Sequence, residues 1–422
     1  MRLLAHFLER LIERGALHVI DADGKTHSFV GSEDGPEVTI QFHEKSLPAK
    51  IALNPELAVA EAYMDGSLTV ENGGKIYDLV YLQGLNRARF RGFASQRVLQ
   101  TVWLALRRFQ QDNPVLRAIS NARHHYDISR ELYALFLDER FQYSCAYFRD
   151  PENDTLEEAQ HAKLNHIAAK LDLKPGMTVA EIGSGWGGLA LHLAQTADVK
   201  VVGVTPSPEQ ISLARERAEK AGVSDRVKFE RLDYREFSGR FDRIVSVGMF
   251  EHVGVPNYDA YFRTIFRNLK DDGYALVHAI GRMAPPSTTS PFLRKYIFPG
   301  GYSPSMSEVF ASTERSRLWV SDVELLRLHY YHTIRHWRMR FDANRDKAVE
   351  LYDERFCRMW DFYLAGVEMA FLFGPNMVFQ MLLSRTRDAV PMTRDFMFDV
   401  ERGLNIPAVS PDDTVVPLIR PR

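Results

Sequence analysis

Cysteine is nearly absent from this chain: Cys145 and Cys357 are the only two in 422 residues. Two thiols make no disulfide framework, and no spacing of metal-ligand residues suggests zinc, so no metal is expected. Excess charge is lacking too, with 53 Lys and Arg against 55 Asp and Glu and a formal net charge of −2. No overall field then draws nucleic acid or anionic lipid, and any such affinity must be local; nucleic acid is not an expected partner. Long apolar runs are missing, so no segment is expected to cross a membrane. The N-terminal MRLLAHFLER carries charge at both ends of a short apolar run and has no cleavage pattern, so it does not read as a signal peptide. A cytoplasmic protein is expected. Repeats and low-complexity tracts are absent as well. What remains is an ordinary globular composition, 45% apolar and 26% charged, in a chain too long for one core. Two domains are the expectation.

Leu3, Leu4, Phe7, Leu8, Leu11 and Ile12 recur at helical spacing and open the chain with an amphipathic helix. Short stretches such as VTIQFH and KIALNP follow between Gly, Pro and Asp turns and read as strands of a small α+β domain. Residues 82–117 differ: seven arginines, one acid (Asp112) and the aromatics Phe90, Phe93, Trp103 and Phe109. A basic, aromatic helical segment suits an anionic membrane surface; an interdomain helix whose arginines pair with acids elsewhere fits equally well. The first domain with this basic linker is assigned to 1–110 and the second to 111–422. From about 160 onward, apolar β-type runs at 177–183, 199–205, 227–232, 241–248 and 273–280 alternate with helical patterns. That rhythm predicts an α/β fold with a doubly wound parallel sheet. Beyond a Pro, Gly and aromatic-rich insertion, SPFLRKYIFPGGYSPSM, helices are expected at about 329–342 and 345–373, and a final buried strand near 380.

The most informative stretch is Val179–Gly188, VAEIGSGWGG. Gly183, Gly185 and Gly187 tighten a strand-to-helix turn and let a ligand approach the backbone at a helix N-terminus. A dinucleotide site wants an acid about 20 residues past the first glycine. Here the second strand ends instead in Thr205-Pro-Ser207-Pro-Glu-Gln210, whose hydroxyls and amide can serve ribose hydroxyls. The third ends in Asp233-Tyr234-Arg235, where Asp233 can accept from an adenine amino group. For any single one of these residues, turn or capping duty is at least as good an explanation. Together, in this order, they resemble the class I S-adenosylmethionine methyltransferases.

Further segments narrow the resemblance: His125-Tyr126-Asp127, QYSCAYF at 142–148, GMFEHVG at 248–254, VHAIG at 277–281, YIFPGG at 296–301 and HYYHT at 329–333. Over about 115–385 they resemble the cyclopropane-fatty-acyl-phospholipid synthases and the related mycolic acid cyclopropane synthases. LNPELAVAEAYMDGSL at 53–68 is similar to the former's N-terminal lipid-handling domain, which favours phospholipid acyl chains. The resemblance implies a Rossmann-like methyltransferase domain beside a smaller lipid-handling domain, with S-adenosylmethionine as methyl donor and bicarbonate as a bound base. It implies a peripheral enzyme on the inner membrane surface, meeting unsaturated phospholipid in an anionic bilayer, with a homodimer also expected.

An unactivated alkene attacking a sulfonium methyl leaves a carbocation, which aromatic faces stabilise without reacting. Tyr126, Tyr143, Phe148, Phe250 and Tyr330 are candidates, although core packing explains any one aromatic. Carried over by motif, Cys145, Glu251, His278, Tyr330 and the backbone at Gly248 and Ile280 would hold the bicarbonate that removes a proton from the transferred methyl. Tyr126, Tyr143 and Ser144 join the glycines, Thr205, Ser207, Gln210, Asp233, Tyr234 and Arg235 on the cofactor side. Blander readings stand beside these: Cys145 as a small core residue, Glu251 as a turn cap, His278 as a satisfied core histidine. The chain departs from many relatives at Val367, where they carry cysteine, which argues against a covalent thiol mechanism. Rival activities are a fatty-acyl methyltransferase leaving a methyl or methylene branch, a lipid-binding protein with a degenerate catalytic domain, and a soluble small-molecule methyltransferase.

Overall fold

A computed structural model describes residues 1–90 and 129–404. The chain divides into two compact units: Met1–Arg107 with Thr288–Pro299 and Ile334–Pro375, and the remainder. Tyr126 and most of the basic segment, 91–117, lie outside the described residues.

The first unit opens with the expected helix, Arg2–Leu11, which turns Leu4, Leu8 and Leu11 inward. A four-stranded sheet follows, from β1 (Arg14–Ile20), β2 (Thr26–Val30), β3 (Glu33–Phe42) and β4 (Leu68–Val70), in the order β2-β1-β3-β4. VTIQFH lies at the end of β3, but KIALNP is not a strand. It falls in the helix Leu47–Leu53 and leads into the helix Pro55–Asp65. Pro48 and Pro55 each sit at the start of a helix, where a missing N–H costs nothing, and burial of Leu47 and Ile51 decides the matter. Later chain completes this unit. Ala365 and Met369 of the helix Glu354–Leu372 pack on Ile76 and Val80 of the helix Ile76–Leu85. Arg355 pairs with Asp65 at 2.7 Å and Lys75 with Asp342 at 2.9 Å. Arg89, one of the seven arginines, donates to Glu13.

The second unit is the doubly wound domain. Its strands are β5 (Thr178–Ile182), β6 (Lys200–Val204), β7 (Val227–Glu230), β8 (Phe241–Val247), β9 (Leu269–Arg282), β10 (Trp319–Leu326) and β11 (Asn376–Ser384). They form a sheet in the order β10-β11-β9-β8-β5-β6-β7. Five neighbouring strands, β5 to β9, run parallel, whereas β11 is antiparallel to both β9 and β10. The chain leaves β5 toward β6 and β7 and then crosses back to β8 and β9. The order therefore reverses at β5, and ligands of such sheets bind at the carboxyl ends beside that reversal. Register places the motifs on one line there: Ile182 faces Val204 and Ser246, Val204 faces Glu230, and Val247 faces His278. Apolar residues from both sheet faces and the covering helices form two cores, one around Leu164, Leu193 and Val245 and the other around Ile182, Phe262 and Phe379.

Candidate active site

The glycine turn is built for close approach. Gly183, Gly185 and Gly187 all have positive φ, +85°, +51° and +82°. A Cβ on Gly183 would lie 2.9 Å from Met249 Cβ, just past β8, and one on Gly187 would lie 2.8 Å from Phe229 Cζ. At Gly185 a Cβ would meet nothing within 4 Å, so this residue borders open space. Beside it, Glu181 Oε2 and Ser184 Oγ are buried and have no hydrogen-bond partner among the described residues. Burial pushes the Glu181 carboxyl up to about 8. Buried polar atoms of this kind are normally satisfied, so a polar ligand over Gly185 fits them. Glu181 was not singled out from the sequence, although an acid ending an apolar run is visible there.

Around this turn, Thr205 Oγ1 donates to Gln210 Oε1 at 2.8 Å, and Ser207 caps the helix Pro208–Lys220. Asp233 is held by Arg235 through Nε at 2.7 Å and Nη2 at 2.8 Å. Tyr234 is a core residue, packed edge-on against Tyr261. The capping reading thus holds for Ser207, and Asp233 already carries a strong ion pair.

A second group gathers at the ends of β8 and β9. The Gly248 N–H donates to the His278 carbonyl at 2.9 Å. Glu251, in a short 3₁₀ turn after β8, accepts the Ile280 N–H on Oε1 at 2.6 Å. Beyond the end of β8 this N–H has no strand partner on that side, and the carboxylate takes it up. Glu251 Oε2 is buried without a partner among the described residues. Burial pushes the Glu251 carboxyl up to about 7, against the lowering effect of the Ile280 hydrogen bond. Burial likewise holds the His278 imidazole well below its ordinary value. Phe250 is not free to face a ligand: its ring is committed to a core cluster with Tyr258, Tyr261 and Phe262 at 4.4, 5.1 and 5.2 Å.

The loop bearing Cys145 is pinned from two sides. The Ala146 N–H donates to Thr333 Oγ1 and the Phe148 N–H to His329 Nδ1, both at 3.0 Å, which fixes the loop to the turn that carries Tyr330. On the other side, Lys163 Nζ donates to Gln142 Oε1 and to Ser144 Oγ, the latter at 3.0 Å. Tyr143 packs edge-on against Tyr133 at 5.1 Å. Cys145 is buried, and its thiol donates to the Ala146 carbonyl at 3.3 Å. Burial pushes the thiol far up, which favours its neutral S–H form. Burial pulls the Lys163 ammonium down to about 8, and its charge reaches Asp138, Cys145 and Glu181.

The groups are joined by a polar chain that sequence reasoning missed. His278 Nδ1 meets Gln380 Nε2 at 3.1 Å, and Gln380 Oε1 accepts from Lys170 Nζ at 2.8 Å. Lys170 also donates to Glu324, which accepts from His166 Nε2 at 2.7 Å. The Tyr147 ring stacks on both His166 and His329, at 4.3 and 4.8 Å. The one visible signal was the polar Gln380 inside the apolar run MVFQMLLS.

A glycine turn at a sheet reversal, polar strand ends beside it, and an acid and a histidine near the ends of the next two strands define a methyltransferase-type enzyme. Residues 115–381 match the family described as mycolic acid cyclopropane synthetase, and the chain belongs to that family of S-adenosylmethionine-dependent enzymes. Residues 4–91 match a domain of unknown function. The chain is 40% identical over 329 residues to a cyclopropane-fatty-acyl-phospholipid synthase of Escherichia coli, covering 78% of this chain and 83% of that protein. It is 36% identical over 376 residues to a probable fatty acid methyltransferase of Pseudomonas putida, covering 86% and 92%. Among solved structures, the cyclopropane synthase MmaA2 from Mycobacterium tuberculosis superposes with a TM-score of 0.61 at 30% identity, covering 64% of this chain and 98% of that one.

Proposed function

We propose that this chain adds a methylene bridge across cis double bonds of unsaturated phospholipid acyl chains, with S-adenosylmethionine as donor. The observation that carries the reading is Glu251. Its one oxygen is fixed by the Ile280 N–H, its other is buried and unpartnered among the described residues, and its carboxyl sits near neutrality at the end of β8. An ionised carboxylate so placed can accept from the hydroxyl of a bound bicarbonate, and the neutral Cys145 thiol adds a donor. In the reaction the alkene forms a bond to the sulfonium methyl as the carbon–sulfur bond breaks, releasing S-adenosylhomocysteine and leaving a cation on the chain. Loss of one proton from the transferred methyl closes the ring. Glu251, Cys145, His278, Tyr330 and the Gly248–Ile280 backbone would hold a bicarbonate, which would supply a base for that proton. Gly183, Gly185 and Gly187, with Glu181 and Ser184, would cradle the donor. Thr205, Ser207 and Gln210 would serve its ribose, and Asp233 to Arg235 its adenine.

A second reading, methyl or methylene branching, is favoured by the Pseudomonas putida likeness, which covers more of the chain. Proton NMR of phospholipid treated with the purified chain and S-adenosylmethionine separates the two. Upfield cyclopropane signals are expected; a branched product with no ring signal would sink the first reading.

The chain is also inferred to work as a cytoplasmic homodimer, peripheral on an anionic bilayer. Among the described residues no helix is long and apolar enough to cross a membrane. Binding to anionic vesicles should weaken as salt shortens electrostatic reach to about 8 Å, and salt-independent binding would count against the docking surface. Sedimentation as a monomer at micromolar concentration would count against the dimer.

A further inference from the structure

We propose that Gln380 and Lys170 form a positioning pair that keeps His278 neutral with its ring proton on Nε2, so that the imidazole acts as a hydrogen-bond donor and not as a base. The inference rests on the reading that His278 belongs to the reaction site. Strand register pairs His278 of β9 directly with Gln380 of β11, so their side chains share one sheet face. Lys170 Nζ, 2.8 Å from Gln380, can only donate, so the amide atom it meets is Oε1. The NH₂ end of that amide is thereby turned to His278 Nδ1 at 3.1 Å. An amide nitrogen donates and does not accept, so Nδ1 must present a lone pair. The single proton of a neutral imidazole then sits on Nε2.

Lys170 is itself fixed. Its ammonium is buried against Glu324, and Glu324 accepts from His166, which also meets Glu401 at 3.1 Å. Rotating the amide would set an NH₂ against an ammonium and leave Nδ1 facing an oxygen, two losses at once in a low-dielectric interior. Protonating Nδ1 would likewise set N–H against N–H. Burial and the charges of Lys163, Lys170 and His166 oppose an imidazolium here, with Glu324 acting the other way. Gln380 therefore selects the tautomer, and Lys170 selects the orientation of Gln380.

The test is a long-range ¹H–¹⁵N spectrum of the full chain labelled with [¹⁵N]histidine, with His278→Gln used to assign the signal. The wild-type ring should carry its proton on Nε2 alone between pH 6 and 8. In Gln380→Glu, a carboxylate accepts from Lys170 and from the ring, so the proton should appear on Nδ1, and kcat should fall at least tenfold with little change in KM for S-adenosylmethionine. A wild-type proton on Nδ1, or an unchanged tautomer in Gln380→Glu, overturns the proposal. If that variant fails to fold, Lys170→Met should give mixed tautomers, and an unmixed Nε2–H ring in it also overturns the proposal. Should the tautomers behave as expected while His278→Gln retains full turnover, the tautomer assignment stands and the reading of His278 as a site residue falls.

Discussion

Glu251 joins two crossings of the sheet: its Oε1 holds the Ile280 N–H at 2.6 Å, while its Oε2 is buried beside it without a partner among the described residues. Glu251→Gln keeps an acceptor for that N–H but cannot ionise. Turnover should fall by about 100-fold or more, in the range of lost acid–base function, while calorimetric affinity for S-adenosylhomocysteine changes little. With a carboxyl near 7, wild-type kcat/KM should rise through neutrality as the carboxylate forms. A flat wild-type profile would remove Glu251 from the rate-governing groups.

Cys145 should act through its S–H and not through a thiolate. Its thiol is held protonated by burial, so alkylation of the native chain at pH 7.5 should be slow, as read by intact mass. Cys145→Ser keeps a donor and should retain more activity than Cys145→Ala. Rapid native alkylation of Cys145 would contradict the neutral-donor role.

The glycine turn separates fold from ligand. Gly187→Ala drives a Cβ to 2.8 Å from Phe229 Cζ at φ +82°, so it should lower the melting temperature markedly. Gly185→Ala meets open space, and only the strain of a left-handed residue remains, about 1–2 kcal/mol. Its main effect should be at least a tenfold loss of S-adenosylhomocysteine affinity. Equal effects of the two on stability and affinity would remove Gly185 from the ligand surface.

His166 ties stability to pH. Burial opposes its charge, but hydrogen bonds to Glu324 and Glu401 overcome this and raise its pKa above 6.5. The folded state therefore holds this proton more tightly than the unfolded chain. The stabilisation is complete below about pH 6.5 and lost as pH rises through the folded value. Melting temperature should fall as pH rises above 6.5 through this group, and His166→Gln should flatten that slope while costing about 1–3 kcal/mol at low pH. An unchanged slope in the variant would contradict the assignment.

The parallel sheet was legible because buried strands read as apolar runs: 177–183, 199–205 and 241–248 correspond to β5, β6 and β8 within a residue or two. The strand near 380 was legible for the same reason. β10 was not, because it is an edge strand whose run, WVSDVELL, mixes Ser321, Asp322 and Glu324 among its apolar residues. KIALNP misled because a short apolar alternation does not distinguish a strand from a helix whose first turn carries proline. Of the candidate site, the residues named from the sequence were those carried by contiguous motifs. Gln380, Lys170 and Lys163 were not named, because each is one polar residue in an otherwise ordinary element and its role arises from contacts 19 to 210 positions away.

The position of β11 also governs when the candidate site can assemble during synthesis. The strand lies between β9 and β10 in the sheet, yet among the described residues it is the last of the eleven strands to be synthesised. Until Asn376–Ser384 emerges, β9 keeps an open apolar edge, β10 lacks the strand it pairs with, and His278 lacks Gln380. A nascent chain stalled short of residue 376 would hold its glycine turn and Glu251 but a His278 without Gln380, and would expose a β9 edge prone to pairing with another chain.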